Sequence, residues 1–350
     1  MSRSHGNYLP VRPDWLARRR EPPLDPELPI VDAHHHLWDR PGWRYLLDEL
    51  LADIRESGHR VVGTAFMQCQ AMYRPDGPPP LRPVGETEFV NGVAAVAASG
   101  TYGETRACAA IIGHADLRSG DGVEEVLHAH LAAGGGRFRG IRHITAWDAD
   151  SSLMNPLSAG SPGMLADGRF REGFACLAPL GLLFEAWLFH PQLPELTDLA
   201  RTFPGTTIVL NHCGGVLGIG AYAGRREAVF RRWSRGIAEL ARCPNVHVKL
   251  GGLGMRINGF GFERGDDPPG SEHLAAIWRP YIQTCIETFG TGRCLFESNF
   301  PVDKGSYSYG TCWNAFKRLT RAASPSEQDA LFRKNAVTLY RLDGIPGPAE

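Results

Sequence analysis

A chain of 350 residues is predicted to adopt an α/β fold, a (β/α)8 TIM barrel, because strand-like and helix-like segments alternate along its whole length. The strand-like segments are almost continuously apolar, as expected for parallel strands that are buried on both faces. Eight such segments can be identified, which is the number that this barrel needs. A doubly wound open sheet is the alternative, but histidines follow the first strand where that fold carries a glycine-rich phosphate loop.

The predicted strands are short runs rich in aliphatic residues. In chain order they are Pro29–Ala33, Arg60–Gln68, Ala107–Gly113, Arg139–His143, Leu182–Trp187, Thr206–Asn211, Val246–Leu250 and Cys294–Glu297. The segments between them place apolar residues at helical spacing. These predicted helices are Tyr45–Ser57, Glu86–Ala98, Gly122–Ala133, Phe170–Pro179, Gln192–Arg201, Arg225–Arg242, His273–Phe289 and Ser326–Leu342.

The domain organisation is predicted to be a single barrel domain, residues 29–345, preceded by an N-terminal extension, residues 1–28. Two long loops, Tyr73–Gly85 and Thr145–Gly168, follow strands two and four. Loops at the C-terminal ends of barrel strands commonly carry substrate-binding parts, so both are candidate walls of a pocket. The arm Met1–Glu27 could wrap a neighbouring subunit of a homo-oligomer.

The charge balance favours a small-molecule partner. There are 37 basic and 38 acidic residues, which leave a net charge of -1, so neither a nucleic acid nor an anionic membrane is an expected partner. The sequence contains no stretch of about 18 apolar residues and no apolar leader, and a cytoplasmic location is expected. The eight cysteines are scattered without a C-x-x-C pair, which is typical of reduced core thiols.

The first predicted strand ends in a run of histidines. Side chains alternate along an extended strand, so Asp32, His34 and His36 are predicted to point one way, and Ala33 and His35 the other. Two imidazoles on one face can bind a single Zn, Fe, Ni or Cu ion when further ligands arrive from elsewhere. The motif therefore indicates a metal site at the mouth of the barrel.

Polar residues also stand at the ends of most other predicted strands. They are Gln68, Arg142, His143, His190, Asn211, His212, Lys249, Glu297, Asn299 and Asp303. The C-terminal ends of barrel strands surround one cleft, so residues far apart in sequence are expected to meet there.

The strand-one histidines, the histidines that end strands five and six, and the sequence around Asn299 together resemble the amidohydrolase superfamily. The phrases Gly140-Ile-Arg-His143 and Asn211-His-Cys-Gly-Gly215 are similar to a branch that includes pyrone-dicarboxylate and sugar-acid lactonases. The resemblance spans about residues 30–340. It implies a TIM-barrel hydrolase that uses a divalent metal ion, with zinc as the expected metal.

The resemblance also implies roles for single residues. His34, His36 and His190 match metal ligands of the family, and His212 matches the histidine that contacts substrate or metal-bound water. The family's strand-eight Asp, which accepts a proton from the attacking water, is Asn299 in this chain. An amide is a far poorer base and brings no charge to offset a dication. Metal binding is then weak or absent, or another carboxylate substitutes.

Two carboxylates are close enough in sequence to replace the missing Asp. Asp303 could fold back over the cleft from the loop after strand eight, and it is the favoured candidate base. Glu297 could share the inward face of the strand, or it could form a buried ion pair with Lys249 or Arg142.

Substrate contacts are expected from polar and aromatic residues at the mouth. Arg142 carries the planar fork that grips a carboxylate, so an anionic substrate is expected. Gln68 and Lys249 could add polar contacts, although an inward lysine could equally pair with a buried acid. Trp38 and Tyr73 could form an apolar wall.

The function predicted from these residues is hydrolysis of a lactone carrying a carboxylate or several hydroxyls. Non-oxidative decarboxylation of a carboxylated aromatic or muconate-type substrate is the enzymatic alternative. A catalytically impaired barrel that acts as a binding protein is the third hypothesis, motivated by Asn299.

Overall fold

Eight parallel strands form a nearly closed barrel in the computed structural model, which describes residues 8–155 and 160–347. The strands of the chain are β1 (Ile30–His35), β2 (Trp38–Arg40), β3 (Trp43–Tyr45), β4 (Val61–Met67), β5 (Arg106–Gly113), β6 (Phe138–Ile141), β7 (Leu183–Ala186), β8 (Ile208–Leu210), β9 (Val246–Leu250) and β10 (Cys294–Phe296). The barrel order is β1-β4-β5-β6-β7-β8-β9-β10, and β2 pairs with β3 in a separate antiparallel hairpin. The predicted (β/α)8 fold class is confirmed.

A short helix precedes the barrel, and the other helices lie between or after its strands. In chain order the helices are α1 (Pro13–Leu16), α2 (Leu47–Ser57), α3 (Val84–Ala98), α4 (Val123–Ala133), α5 (Gly168–Ala175), α6 (Leu193–Thr202), α7 (His212–Gly215), α8 (Arg226–Leu240), α9 (Ser271–Phe289), α10 (Tyr309–Leu319), α11 (Pro325–Asp329) and α12 (Asn335–Tyr340). Local sequence sets several of their ends. Asp167 caps α5 by accepting from the Phe170 backbone N–H at 2.9 Å, and Gly58 ends α2 in the left-handed conformation.

All eight predicted barrel strands are present, β9 with the predicted ends and the others with shifted ends, but the helix prediction misses α10. This helix follows β10, and the predicted segment Ser326–Leu342 lies beyond it. That last segment is interrupted, because a π-helical turn at Ala330–Lys334 separates α11 from α12. The sequence of α10 does carry the helical period, since Tyr309, Trp313 and Phe316 are spaced as i, i+4 and i+7, so the prediction missed a pattern that is present.

A register shift in β1 changes the predicted alternation of its side chains. The pairing with β4 is irregular between Asp32 and His35. Ala33 packs in the apolar cluster inside the barrel, whereas Asp32 accepts a hydrogen bond from the hydroxyl of Tyr309 in α10 at 3.0 Å. The prediction that Asp32 shares a face with His34 is therefore wrong, because the bulge inserts an extra residue between them.

The barrel interior is apolar at its base. At its mouth, β1 and the segment after β10 are joined by backbone hydrogen bonds. Val31, Met67, Val209 and Leu295 belong to the inner cluster, and Tyr340 of α12 packs beneath them. At the mouth the Asn299 backbone N–H donates to the His34 carbonyl at 2.9 Å, and the His36 N–H donates to the Phe300 carbonyl at 2.8 Å. These bonds hold the strand-one histidines against the segment after β10.

All eight cysteines are free, as expected from the sequence. In the described part of the chain, no helix combines the length and the apolar character needed to cross a membrane.

Candidate active site

A pocket opens at the C-terminal mouth of the barrel, where the predicted polar strand ends meet. Its empty space, including the open mouth, is about 890 Å³. The lining residues come from most strands and from the start of the chain. They are Tyr8, Leu9, His36, Trp38, Arg40, Gln68, Cys69, Gln70, Arg142, Ile144, Ala146, Leu153, Asn155, Trp187, Phe189, His212, Met255, Arg256, Ile257, Asn299 and Val302.

Two histidines from β1 and the segment after it stand at the pocket floor. The Nε2 atoms of His34 and His36 lie 3.2 Å apart, and His36 Nδ1 is 2.8 Å from the Met67 carbonyl. His34 is fully buried beneath the pocket lining. Burial lowers the pKa of both imidazoles well below the ordinary value, so both rings are neutral at pH 7.

His212 and the buried Glu297 form a hydrogen-bonded pair beside these histidines. Glu297 Oε1 lies 2.7 Å from His212 Nδ1 and accepts from the His212 backbone N–H at 3.0 Å. The carboxylate therefore fixes the proton of His212 on Nδ1 and leaves Nε2 with its lone pair. Burial lowers the pKa of His212, and Glu297 opposes that shift. Because His212 lines the pocket, it presents a neutral, oriented imidazole to a ligand.

The guanidinium of Arg142 is buried in the floor, next to the histidines. Its Nη1 lies 3.1 Å from His34 Nε2, and its Nη2 donates to the Gln68 carbonyl. Its Nε has no protein partner. Both Arg142 and Gln68 line the pocket, as predicted.

Asn299 lines the pocket, whereas Asp303 lies behind it. The Asn299 side chain donates to Asp303 Oδ1 at 2.9 Å, and Asp303 Oδ2 accepts from the Gly254 N–H at 2.9 Å and from the Tyr307 hydroxyl at 2.5 Å. Burial raises the pKa of Asp303 to about 7. The structure therefore places the favoured candidate base out of the pocket, where it touches the site only through Asn299.

His190 lies apart from the other histidines. It begins a single 3-10 turn, His190–Gln192, which directs it away from the pocket. Its Nδ1 accepts from the Leu217 backbone N–H at 3.4 Å and its ring packs edge-on against Tyr222. His190 lines a separate surface depression together with Arg231 of α8. The structure does not bring it together with His34 and His36 as a third metal ligand.

Lys249 and Tyr73 are also absent from the described pocket lining. Lys249 is fully buried and forms an ion pair with Glu185 at 2.8 Å, and Glu185 also accepts from the Tyr340 hydroxyl at 2.6 Å. This arrangement matches the alternative of a structural ion pair. The Tyr73 hydroxyl is buried and has no hydrogen-bond partner among the described residues, and Gln70 lines the pocket instead.

The donor set of the histidines fits a divalent cation. An Arg142 N–H always donates and a carbonyl always accepts, so both Nε2 atoms carry lone pairs, and an ion would have to take the place of Arg142 Nη1 at His34 Nε2. The separation of the two Nε2 atoms, 3.2 Å, is close to the distance of about 3.3 Å expected between two nitrogen ligands of tetrahedral zinc. His34, His212 and Glu297 also offer ligand atoms within 4.8 Å of one another. The acidic strand-eight ligand is replaced by Asn299.

Most of the lining residues were not predicted as site residues from the sequence, among them two arginines and two residues of the N-terminal extension. Arg40 lies over the Trp38 ring at 4.1 Å and donates to the Cys69 carbonyl at 2.8 Å. Arg256 is exposed at the pocket. Tyr8 and Leu9 arrive from the N-terminal extension, and no local motif reveals that they return to the mouth. The predicted Trp38 lines the pocket and packs against His36 with ring centroids 5.7 Å apart.

Comparison with known proteins places this barrel in a family. The family model described as Amidohydrolase matches residues 31–342. The chain belongs to the amidohydrolase family, and the predicted enzyme class, a hydrolase, is confirmed.

Two relatives align along most of their length. The chain is 33% identical over 341 residues to the uncharacterized protein y4mH of Sinorhizobium fredii, covering 90% of this chain and 99% of that protein. It is 28% identical over 333 residues to an L-fucono-1,5-lactonase of Burkholderia ambifaria, covering 91% of this chain and 97% of the lactonase.

Solved structures share the fold. An amidohydrolase from Burkholderia multivorans with bound zinc has a TM-score of 0.68 and 23% identity, over 89% of this chain and 99% of that one. A candidate 2-pyrone-4,6-dicarboxylic acid hydrolase from Pseudomonas putida has a TM-score of 0.61 and 16% identity, over 90% and 98% of the two chains.

Proposed function

We propose that the protein hydrolyses a lactone that carries a negative charge. The charge of the pocket is the observation that carries this proposal. Three arginines, Arg40, Arg142 and Arg256, are among the described lining residues, and none of those residues is Asp or Glu. A cationic pocket with low-dielectric walls attracts an anion and opposes a cation. Arginine is also well suited to holding a carboxylate.

His212 is the proposed general base, with Glu297 as its positioning residue. A water molecule bound at His212 Nε2 gives up a proton as it attacks the lactone carbonyl, and the ring C–O bond then breaks to release an alcohol and a carboxylate. Glu297 stabilises the imidazolium that forms, because it accepts from Nδ1 at 2.7 Å. Arg142 lies beside this point and stabilises negative charge on the carbonyl oxygen.

Asn299 is proposed to bind substrate or water rather than to act as a base. Its amide nitrogen is committed to Asp303, which leaves the amide oxygen as the group that can accept from a ligand. Asp303 is held in place by three donors and positions this amide.

His34 and His36 would hold a divalent metal ion, for which zinc is the expected metal. The bound ion would supply a Lewis acid for the lactone carbonyl. The L-fucono-1,5-lactonase relative and the structural relative described as a pyrone-dicarboxylic acid hydrolase both support a lactone as the substrate class.

The test is a panel of carboxylated lactones assayed with wild-type enzyme and with His212→Ala. Loss of a general base lowers kcat by about 10²- to 10⁴-fold. His212→Ala also leaves the buried Glu297 without its Nδ1–H partner, so the melting temperature should fall, and kcat is measured on protein that circular dichroism shows to be folded. The matched control is His143→Ala, since His143 is equally buried at the end of β6 but does not line the pocket. If His212→Ala retains kcat within about threefold of wild type, the proposed base is wrong. Release of carbon dioxide without ring opening would favour decarboxylation instead.

A further inference from the structure

The N-terminal extension contributes part of the pocket wall. Tyr8 and Leu9 line the pocket, although the match to the family model begins only at residue 31. Leu9 is buried against Gly305, where an added Cβ would lie 2.5 Å from the Leu9 Cβ. Tyr8 packs edge-on against Trp43 with ring centroids 5.6 Å apart. The chain therefore reaches the pocket mouth before it enters the barrel.

Hydrogen bonds along the extension hold this end of the chain in place. Arg12 donates to the Glu263 carbonyl at 2.6 Å, and the Trp15 indole donates to the Gly265 carbonyl at 3.0 Å. Further along, Arg19 donates to the Pro268 carbonyl at 2.7 Å.

The anchoring continues into the helices. Glu21 accepts from the Ser271 backbone N–H at the start of α9 at 2.7 Å. Asn314 of α10 donates to the Pro22 carbonyl at 2.9 Å and accepts from the Leu24 N–H at 2.8 Å. Because these contacts involve many residues of the extension, they hold Tyr8 and Leu9 in fixed positions at the mouth of the pocket.

The pocket has a polar floor and an apolar wall. Histidine, arginine and amide groups converge at the floor, as described above. The rest of the described lining is largely apolar and includes Tyr8, Leu9, Trp187, Phe189 and Met255, while Arg40 lies over the ring of Trp38. A ligand held by its acidic and lactone groups at the floor must place the rest of its body against these side chains.

We propose that the N-terminal extension makes the enzyme selective for lactones with a flat, apolar body, such as an aromatic or unsaturated ring, over polyhydroxylated sugar-acid lactones. The identity of the reacting group, a lactone, rests on the proposed function, whereas the preference for binding a flat ring does not depend on it. Hydroxyl groups pressed against Tyr8, Leu9 and Trp187 would exchange hydrogen bonds to water for contacts with apolar atoms. A flat ring there buries apolar area against the same side chains.

Binding of two non-hydrolysable acids to the full-length protein tests the selectivity without turnover. Benzoate presents a flat ring, and gluconate presents hydroxyl groups. Calorimetry should show benzoate binding at least about tenfold more tightly than gluconate to the wild type. Tyr8→Ala and Leu9→Ala should each remove most of that difference while gluconate affinity changes less than about twofold. Tyr102→Ala is the matched control, because Tyr102 is 57% exposed and does not line the pocket.

Equal or tighter binding of gluconate by the wild type would overturn the inference. So would an equal loss of affinity for both acids in variants that keep the wild-type melting temperature, since Tyr8 and Leu9 would then not discriminate between a flat ring and hydroxyl groups. Failure to hydrolyse any lactone would reject the proposed function alone, because the binding preference is measured on acids that do not react.

Discussion

Replacement of Glu297 by Gln tests whether this buried carboxylate positions His212 for catalysis. Glu297 Oε1 contacts both the backbone N and Nδ1 of His212, at 3.0 and 2.7 Å. Gln keeps the volume and one acceptor oxygen but removes the negative charge. A hydrogen bond to a charged group contributes about 1.5–3 kcal/mol, against about 0.5–1.5 kcal/mol for a neutral one. A loss of about 1–2 kcal/mol in stabilising the imidazolium lowers kcat by about 5- to 30-fold.

Steady-state kinetics on one turned-over lactone separates this role from a structural one. Glu297 is fully buried and lies outside the described lining, so Glu297→Gln should leave KM within about twofold while kcat falls. Glu185→Gln is the matched control, because Glu185 is an equally buried barrel carboxylate that pairs with Lys249. It should lower the melting temperature with kcat within about twofold of wild type. Unchanged kcat in Glu297→Gln, or equal kcat losses in both variants, would refute the reasoning.

Three further changes have defined outcomes. Arg142→Lys keeps the positive charge but loses the two guanidinium nitrogens that contact His34 and Gln68, so KM for an anionic lactone should rise about tenfold or more. An unchanged KM would show that Arg142 does not bind the anion. Asn299→Asp places a second carboxylate 2.9 Å from Asp303, so without metal the melting temperature at pH 8 should be lower than that of the wild type. In equilibrium dialysis the variant should bind zinc at least about tenfold more tightly than the wild type. Equal zinc affinity would show that Asn299 does not limit metal binding. Burial raises the pKa of Glu86 from 4.5 to about 7, so the folded state holds this proton more tightly than the unfolded state. The free energy of unfolding therefore declines as pH rises from about 4.5 to about 7 and levels off above that range. Glu86→Gln should therefore stabilise the protein by about 3 kcal/mol in urea denaturation at pH 8 and by little at pH 5, and an equal effect at both pH values would contradict that titration.

Most of the barrel could be predicted because its parallel strands are buried on both faces and read as apolar runs. The exception that matters is β1, where one bulge reverses the relation between Asp32 and His34. The alternation of side chains along a strand gives no sign of an extra residue, so the prediction placed Asp32 on the same face as His34. Helix α10 could have been predicted, because Tyr309, Trp313 and Phe316 follow the i, i+4, i+7 spacing of a helix, and the prediction missed that pattern.

The site could be predicted as a set of strand ends but not as a network of contacts. His36, His212, Arg142, Gln68, Trp38 and Asn299 meet at one pocket, as the (β/α)8 topology requires. The choice between Asp303 and Glu297 depends on side-chain direction at the end of β10, which sequence spacing does not determine. His190 was misplaced because a turn begins at that residue. The contribution of Tyr8 and Leu9 depends on a long-range path of the chain, for which no local motif exists.

The central claim is that water, activated at His212, opens an anionic lactone ring. Mass spectrometry of the products formed by wild-type enzyme in isotopically labelled water tests it most directly. The account predicts a ring-opened acid that is heavier by one water molecule, carries one labelled oxygen in its new carboxylate, and forms far more slowly with His212→Ala. Carbon dioxide as a product, or no reaction with any carboxylated lactone in the presence or absence of zinc, would contradict it.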